Sequence, residues 1–135
     1  KAQIKAPADV VMDLLTDIDK QNKWNSTLIK LSGTFEEGET LSFLTKISPK
    51  QAFKVKVEEK GRLQVVLTGG MPLGLFRGRR YFRLTPQGDN ATLFETKEVF
   101  KGPLVGLMKK VMPDLQPSFD QWALDLKSAA EKEAS

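Results

Sequence analysis

The sequence predicts an α+β fold in which an antiparallel β-sheet is covered by one long C-terminal helix. Two observations predict it. After residue 117, apolar residues recur at helical spacing on one face, and no glycine interrupts the run after Gly106. Between residues 28 and 102, segments of alternating polar and apolar residues are separated by turn residues. A helix with one wide apolar stripe needs a sheet against which to bury it. The stripe consists of Leu115, Phe119, Trp122, Leu126 and Ala129.

The first residues predict the end of a strand followed by two short helices. Residues 4–6 resemble the end of a strand whose beginning we expect to precede Lys1. Pro7 suits the first turn of a helix, where its missing N–H costs nothing. A second short helix is predicted over residues 19–24. The aspartates Asp9, Asp13 and Asp17 lie four residues apart, and we interpret them as a solvent-exposed helix face rather than a metal site, because no other type of ligand accompanies them.

Six further strands are predicted between the short helices and the long one. They cover residues 28–33, 40–48, 51–60, 62–69, 76–85 and 91–102. Turn residues at 36–38, 48–50, 60–61 and 86–90 separate them and predict a meander of antiparallel strands. With the N-terminal strand, the sheet would have six to seven strands in a single domain spanning residues 1–135.

The last two strands predict a specific register. If their apolar faces match, Leu84 lies near Phe94, and Arg80 then lies opposite or diagonal to Glu98. Burying either charge alone is expensive, so the two are expected to pair or to meet a ligand. In a functional pair, Arg80 would hold a ligand carboxylate or carbonyl and Glu98 would orient it. The alternatives are a structural ion pair, or a one-residue bulge that turns Arg80 outward.

Composition limits the chemistry that the chain can perform. The 135 residues contain no cysteine and no histidine, which excludes a disulfide framework, a thiolate nucleophile and a Ser-His-Asp triad. Any acid–base catalysis would need a carboxylate, lysine or tyrosine with a shifted pKa. We expect no metal and no cofactor, and the absence of cysteine fits a cytoplasmic location.

The net charge of +4 is spread along the chain, with 21 Lys and Arg interleaved with 17 Asp and Glu. This pattern favours solubility over nucleic-acid affinity. No apolar run reaches the roughly 18 residues of a membrane span. We therefore expect no nucleic-acid partner and no integral membrane segment, in a protein that is a monomer or a homodimer.

Several short motifs, in their order and spacing, resemble the START-like or helix-grip superfamily (the pollen-allergen fold, SRPBCC), and within it the small bacterial polyketide cyclase/dehydrase-like proteins. The motifs are IKAPADVV at 4–11, LLTD at 14–17, KWN at 23–25, LFRG at 75–78, FRLTP at 82–86, ATLFE at 91–95 and EVFKG at 98–102. The resemblance covers essentially the whole chain. It implies a curved sheet gripping the C-terminal helix, with a hydrophobic cavity between them.

The resemblance implies binding or transport of a hydrophobic or amphipathic small molecule, lipid-like or polyketide-like, in that cavity. Two alternatives stay open: a polyketide cyclase/dehydratase-type enzyme without a metal, using Glu98 with Arg80 or Tyr81, and a protein-interaction module of the chaperone-activator type. By strand alternation and helical spacing, the ligand-binding wall would comprise Phe43, Phe53, Val55, Leu67, Phe76, Arg80, Phe82, Glu98, Phe100, Leu107, Val111, Leu115, Phe119 and Trp122. The same residues would equally suit a filled core.

Two apolar segments punctuated by glycine or proline are candidates for a gate at the mouth of the cavity. They are the loop at 69–75 and the segment at 104–112. The residues expected to form the gate are Met71, Leu73, Leu75, Met108 and Met112. Methionine suits a wall that adapts to different ligands, although ordinary packing of one segment on the other would also account for the pattern. Because a proline inside a helix breaks or kinks it, the uniform helix is expected to start near Pro117.

Overall fold

The computed structural model describes residues 1–71, 74–111 and 116–135, without the side chains of Met71, Met108, Lys109 and Val111. The elements, in chain order, are β1 (Ala2–Ile4), α1 (Ala8–Thr16), α2 (Ile18–Trp24), β2 (Leu28–Gly33), β3 (Thr40–Thr45), β4 (Ser48–Lys60), β5 (Gln64–Met71), β6 (Phe76–Pro86), β7 (Thr92–Lys101), α3 (Val105–Val111) and α4 (Gln116–Ala134).

The strands form one curved antiparallel sheet in the order β1-β7-β6-β5-β4-β3-β2. Strands β2 to β7 follow one another as a meander, and β1 closes the sheet by pairing with β7 at its far edge. The α+β fold class predicted from alternation and helical spacing is therefore confirmed. Leu84 pairs with Phe94, as matching the apolar faces of β6 and β7 predicts.

One side of the sheet, its concave face, carries the core and is covered by α4 together with α1. Helix α4 lies closest to α1, α2 and β1. Of its predicted stripe, Trp122 and Leu126 are buried, whereas Phe119 and Ala129 are partly buried against the core. Leu115 lies outside the described residues.

Two carboxylates on α4 fix its position against the N-terminal part of the chain. Asp125 accepts hydrogen bonds from the backbone N–H and the hydroxyl of Ser26, at 2.8 and 2.5 Å. Glu131 accepts a hydrogen bond from the backbone N–H of Lys5 at 2.9 Å. These contacts hold the helix across the face of the sheet and so set the distance between its aromatic residues and the strands.

The turn predicted at residues 48–50 is wrong. Ser48 pairs with Thr45, and the turn between β3 and β4 consists of Lys46 and Ile47. Pro49 lies inside β4, in an irregular stretch between the Thr45–Ser48 and Phe43–Phe53 pairs. A proline is tolerated there because a bulge does not require its missing N–H for the ladder.

The first testable prediction compares two leucines on α4 that differ in burial. Leu126 is fully buried, whereas Leu124 is 58% exposed. Leu126→Ala removes core contacts and should lower the free energy of unfolding by about 2–5 kcal/mol. Leu124→Ala, the matched control, should change it by less than about 0.5 kcal/mol. Urea denaturation measures both, and equal effects would contradict this placement of α4.

Candidate ligand-binding site

The concave face of the sheet is lined with aromatic rings, which form two groups. In the first, Trp122 from α4 packs against rings from both layers, with centroid distances of 5.8 Å to Phe43, 5.3 Å to Phe82 and 5.2 Å to Phe119. In the second, Phe76 and Phe100 stack at 5.3 Å on neighbouring strands. Arg80 lies between the two groups on β6, because residues 76, 78, 80 and 82 share one face.

A glycine allows the second group to form. An added Cβ on Gly78 would lie 3.1 Å from the ring of Phe100, so a larger residue there would require that ring to shift by a few tenths of an ångström. Gly78 thus leaves room for the Phe100 ring over β6.

Most of the predicted wall residues lie on the concave face but differ in burial. Phe43, Leu67, Phe76, Phe82 and Trp122 are buried, Val55, Phe100 and Phe119 are partly buried, and Phe53 is 37% exposed. The wall is thus closed around Trp122 and more open towards Phe53 and Phe100. Leu115 lies outside the described residues, and the side chain of Val111 is not described.

Arg80 and Glu98 form the ion pair that the register predicts. They are direct cross-strand partners, and Arg80 Nη2 lies 3.2 Å from Glu98 Oε1. Arg80 also donates a hydrogen bond to the hydroxyl of Thr96 at 3.3 Å. The pairings of β6 with β5 and with β7 continue through Arg80 without a shift, so the bulge that would turn Arg80 outward does not occur.

Helix α4 contributes to the same site through Phe119. The guanidinium carbon of Arg80 lies 3.6 Å from the centroid of the Phe119 ring, a cation–π contact between sheet and helix. The Arg80 and Glu98 side chains are only 13% and 23% exposed. A largely buried charged pair therefore lies on this face, with one aromatic ring against its guanidinium.

Burial changes the electrostatics of both members of the pair. It raises the pKa of the Glu98 carboxyl above its usual value, and the facing Arg80 only partly opposes that rise. It also lowers the pKa of the Arg80 guanidinium, although arginine remains charged in proteins. Ionising Glu98 therefore costs more free energy in the folded protein than in the unfolded chain.

Two buried nitrogen donors on this wall have no hydrogen-bond acceptor among the residues that the structure describes. They are Arg80 Nε and Trp122 Nε1. The other tryptophan is satisfied, since Trp24 Nε1 donates to the carbonyl of Leu14 at 2.9 Å. Helical spacing identified Trp122 only as an apolar residue, because it does not reveal where an indole N–H points.

Tyr81, a candidate for catalysis in the enzyme alternative, is not brought to the pair. It follows Arg80 on β6 and so lies on the opposite face of the sheet, paired with Val66 and Lys97. Arg79 also lies on that outer face, where it forms an ion pair with Glu58 at 3.0 Å.

The two segments predicted as a gate meet in the structure. The backbone N–H of Leu104 donates to the carbonyl of Leu75 at 3.0 Å. Gly102 permits this approach, since it has a φ of +118° and an added Cβ would lie 2.6 Å from that carbonyl oxygen. Leu75 and Leu107 are 36% and 59% exposed.

Four of the residues assigned to the gate fall wholly or in part outside the described structure. Leu73 and Met112 lie outside the described residues, and the side chains of Met71 and Met108 are not described. The opening and closing of this segment therefore stays a prediction.

The described part of the chain lacks two other features. No group of three or more His, Cys, Asp or Glu side chains there is arranged to hold a metal ion. Among the helices of this part, none combines the length and the apolar composition of a membrane span.

Comparison with known families gives a match over almost the whole chain. The family model described as polyketide cyclase/dehydrase and lipid transport matches residues 1–131. None of the curated proteins compared with the chain matches it in sequence.

Solved structures share the fold at low sequence identity. A START superfamily protein from Mycobacterium smegmatis has a TM-score of 0.69 at 14% identity, over 98% of this chain and 94% of its own. Norcoclaurine synthase from Thalictrum flavum has a TM-score of 0.66 at 15% identity, over 95% of this chain and 88% of its own. CalU16 from Micromonospora echinospora has a TM-score of 0.62 at 18% identity, over 98% and 79%. At these identities the similarity shows the fold alone.

The raised pKa of Glu98 predicts a specific dependence of stability on pH. The folded protein holds the Glu98 proton more tightly than the unfolded chain does, so folding loses stability as pH rises from the usual glutamate value through the raised one. Glu98→Gln removes this titration. The free energy of unfolding of the wild type, minus that of the variant, should therefore fall over this interval. Urea denaturation at a series of pH values measures it, and a difference that rises with pH would contradict the assignment.

Proposed function

The chain belongs to the polyketide cyclase/dehydrase and lipid transport family, and from this premise we propose that it binds a hydrophobic or amphipathic small molecule, lipid-like or polyketide-like, between the concave face of the sheet and α4. The observation that carries the proposal is the Arg80–Glu98 pair, which is largely buried on the aromatic face and whose guanidinium stacks on Phe119. The rings supply apolar contact area, and the pair supplies an anchor for a polar end.

Stability alone is a weak reason for this ion pair. Removing two charges from water costs about as much as their attraction returns, and an apolar pair of similar size is often equally stable or more so. Arg80 and Glu98 lie on the face that otherwise carries Phe76, Phe82 and Phe100, where alternation favours apolar residues. A ligand group that interacts with Arg80 would account for a charge in that position.

The geometry around Arg80 indicates the kind of group it would hold. Its plane is covered by Phe119, while Glu98 and Thr96 accept hydrogen bonds from its terminal nitrogens. Nε is buried without an acceptor among the described residues. A carboxylate or carbonyl oxygen suits such a planar set of donors, so the polar end of the ligand is proposed to be anionic or carbonyl-bearing.

A second candidate function, an enzyme of the cyclase or dehydratase type, is favoured by one observation. Burial raises the pKa of Glu98, and a carboxyl with a raised pKa suits general acid–base chemistry near neutral pH. Glu98 would then move a proton while Arg80 held the substrate oxygen. Turnover of a polyketide-like substrate that is lost in Glu98→Gln, with binding retained, would favour this function over binding alone.

The proposal predicts that Arg80 contributes to the affinity for anionic amphipathic ligands. The fluorescent probe 1-anilinonaphthalene-8-sulfonate combines aromatic rings with one negative charge. Arg80→Ala should weaken its binding by about 10- to 150-fold, since a hydrogen bond to a charged group contributes about 1.5–3 kcal/mol. The free energy of unfolding should fall by less than about 2 kcal/mol, because Glu98 can take up a proton when its partner is lost.

Two controls separate this anchor from general effects of charge. Arg79→Ala removes an ion-paired arginine from the same strand but from the outer face, and it should leave probe affinity unchanged. N-phenyl-1-naphthylamine lacks the sulfonate, and its affinity should change little in Arg80→Ala. Equal affinities of the wild type and Arg80→Ala for the anionic probe would overturn the role of Arg80, and failure of both probes to bind the wild type would overturn the ligand site.

A further inference from the structure

The indole N–H of Trp122 is a buried donor for which the described residues supply no acceptor. Trp122 is only 6% exposed, and its Nε1 has no acceptor among the described residues. A buried polar group without a hydrogen bond is unfavourable, and nearly all such groups in proteins are paired. Trp24, which is partly buried, differs from Trp122, since its indole N–H donates to the carbonyl of Leu14.

The aromatic neighbours of Trp122 do not supply a good hydrogen-bond acceptor for its indole N–H. Its ring contacts are Trp24, Phe43, Phe82 and Phe119, and the face of an aromatic ring is a weak acceptor at best.

A second unpaired polar atom lies along the same strand as one of these neighbours. The hydroxyl of Thr45 is buried without a hydrogen-bond partner among the described residues, and Thr45 lies two residues along β3 from Phe43. Thr45 pairs with Leu28, a core residue, which places it on the side of the sheet that faces α4. This part of the wall therefore combines aromatic surface with an indole N–H and a hydroxyl that have no partner among the described residues.

The character of the missing acceptor follows from what surrounds the indole. The rings that contact Trp122 carry no charge, and an indole N–H is a donor only. An uncharged oxygen, such as that of a ketone, quinone or ester, satisfies this donor without bringing a charge into an aromatic environment. Phe119 contacts both Trp122 and Arg80, so the indole and the guanidinium lie against the same ring.

We propose that Trp122 Nε1 is a second anchor of the ligand site and donates a hydrogen bond to an uncharged carbonyl oxygen of the bound molecule. This inference rests on the proposed function and extends it. The ligand carries a neutral carbonyl near Trp122 in addition to the polar group held by Arg80. Its class is then an aromatic or alicyclic ketone, quinone or ester rather than a simple hydrocarbon chain.

A matched pair of probes tests the anchor. 9-Fluorenone and fluorene have nearly the same shape and differ chiefly by one carbonyl oxygen. Each is titrated against the full chain as a competitor of N-phenyl-1-naphthylamine. The wild type should bind fluorenone about fivefold more tightly than fluorene, as expected for one net hydrogen bond. Trp122→Phe, which keeps a ring and removes the N–H, should abolish that preference, and Trp24→Phe should retain it.

A spectroscopic readout on the wild type avoids any effect of the substitutions on folding. The chain has two tryptophans, so its ¹H–¹⁵N spectrum contains two indole signals, which the two variants assign. Fluorenone should move the Trp122 indole proton downfield, fluorene should not, and the Trp24 signal should stay nearly fixed. A Trp122 signal that responds identically to both probes, or an unchanged carbonyl preference in Trp122→Phe, would overturn the anchor while leaving the ligand site intact. Failure of the wild type to bind either competitor or N-phenyl-1-naphthylamine itself would overturn the proposed function and this inference together.

Discussion

A single helix that must cover one face of a seven-stranded sheet is the constraint on which the rest of this structure depends. Seven strands spaced about 4.8 Å apart form a sheet about 29 Å across, whereas a helix with its side chains is only about 10–12 Å wide. Helix α4 is therefore too narrow to bury the concave face alone. Helices α1 and α2 close one part of it, and residues such as Phe53 and Phe100, farther from these helices, keep some exposure.

Large aromatic side chains on α4 span the gap between the helix and the sheet. Trp122 and Phe119 reach from the helix to rings on β3 and β6, and Phe119 also covers the guanidinium of Arg80. The contact between helix and sheet is thus made largely of aromatic rings, with one ion pair set among them. Such an arrangement gives an apolar surface with a few fixed polar groups, which is the usual composition of a small-molecule site.

The sequence allowed the fold and the central pair to be predicted because strand alternation restricts the register. Once the apolar faces of β6 and β7 are matched, Leu84 lies near Phe94 and Arg80 lies opposite or diagonal to Glu98, and the structure makes them direct partners. The turn before β4 was misplaced because Pro49 normally marks a turn, and only the strand pairing reveals the bulge that accommodates it. The unpaired indole of Trp122 was missed for a similar reason. Its hydrogen bonding depends on neighbours that are distant in sequence, whereas helical spacing reports only which side it faces.

The central claim is that the space between α4 and the concave face holds a small molecule, and native mass spectrometry of freshly purified protein tests it most directly. The account predicts a bound species of one small molecule per chain, released on denaturation, that carries a carboxylate or carbonyl group. It also predicts that Arg79→Ala retains this species and that Arg80→Ala loses much of it. A protein that is isolated free of any small molecule, and that takes up none from a mixture of lipids and aromatic ketones, would contradict the account.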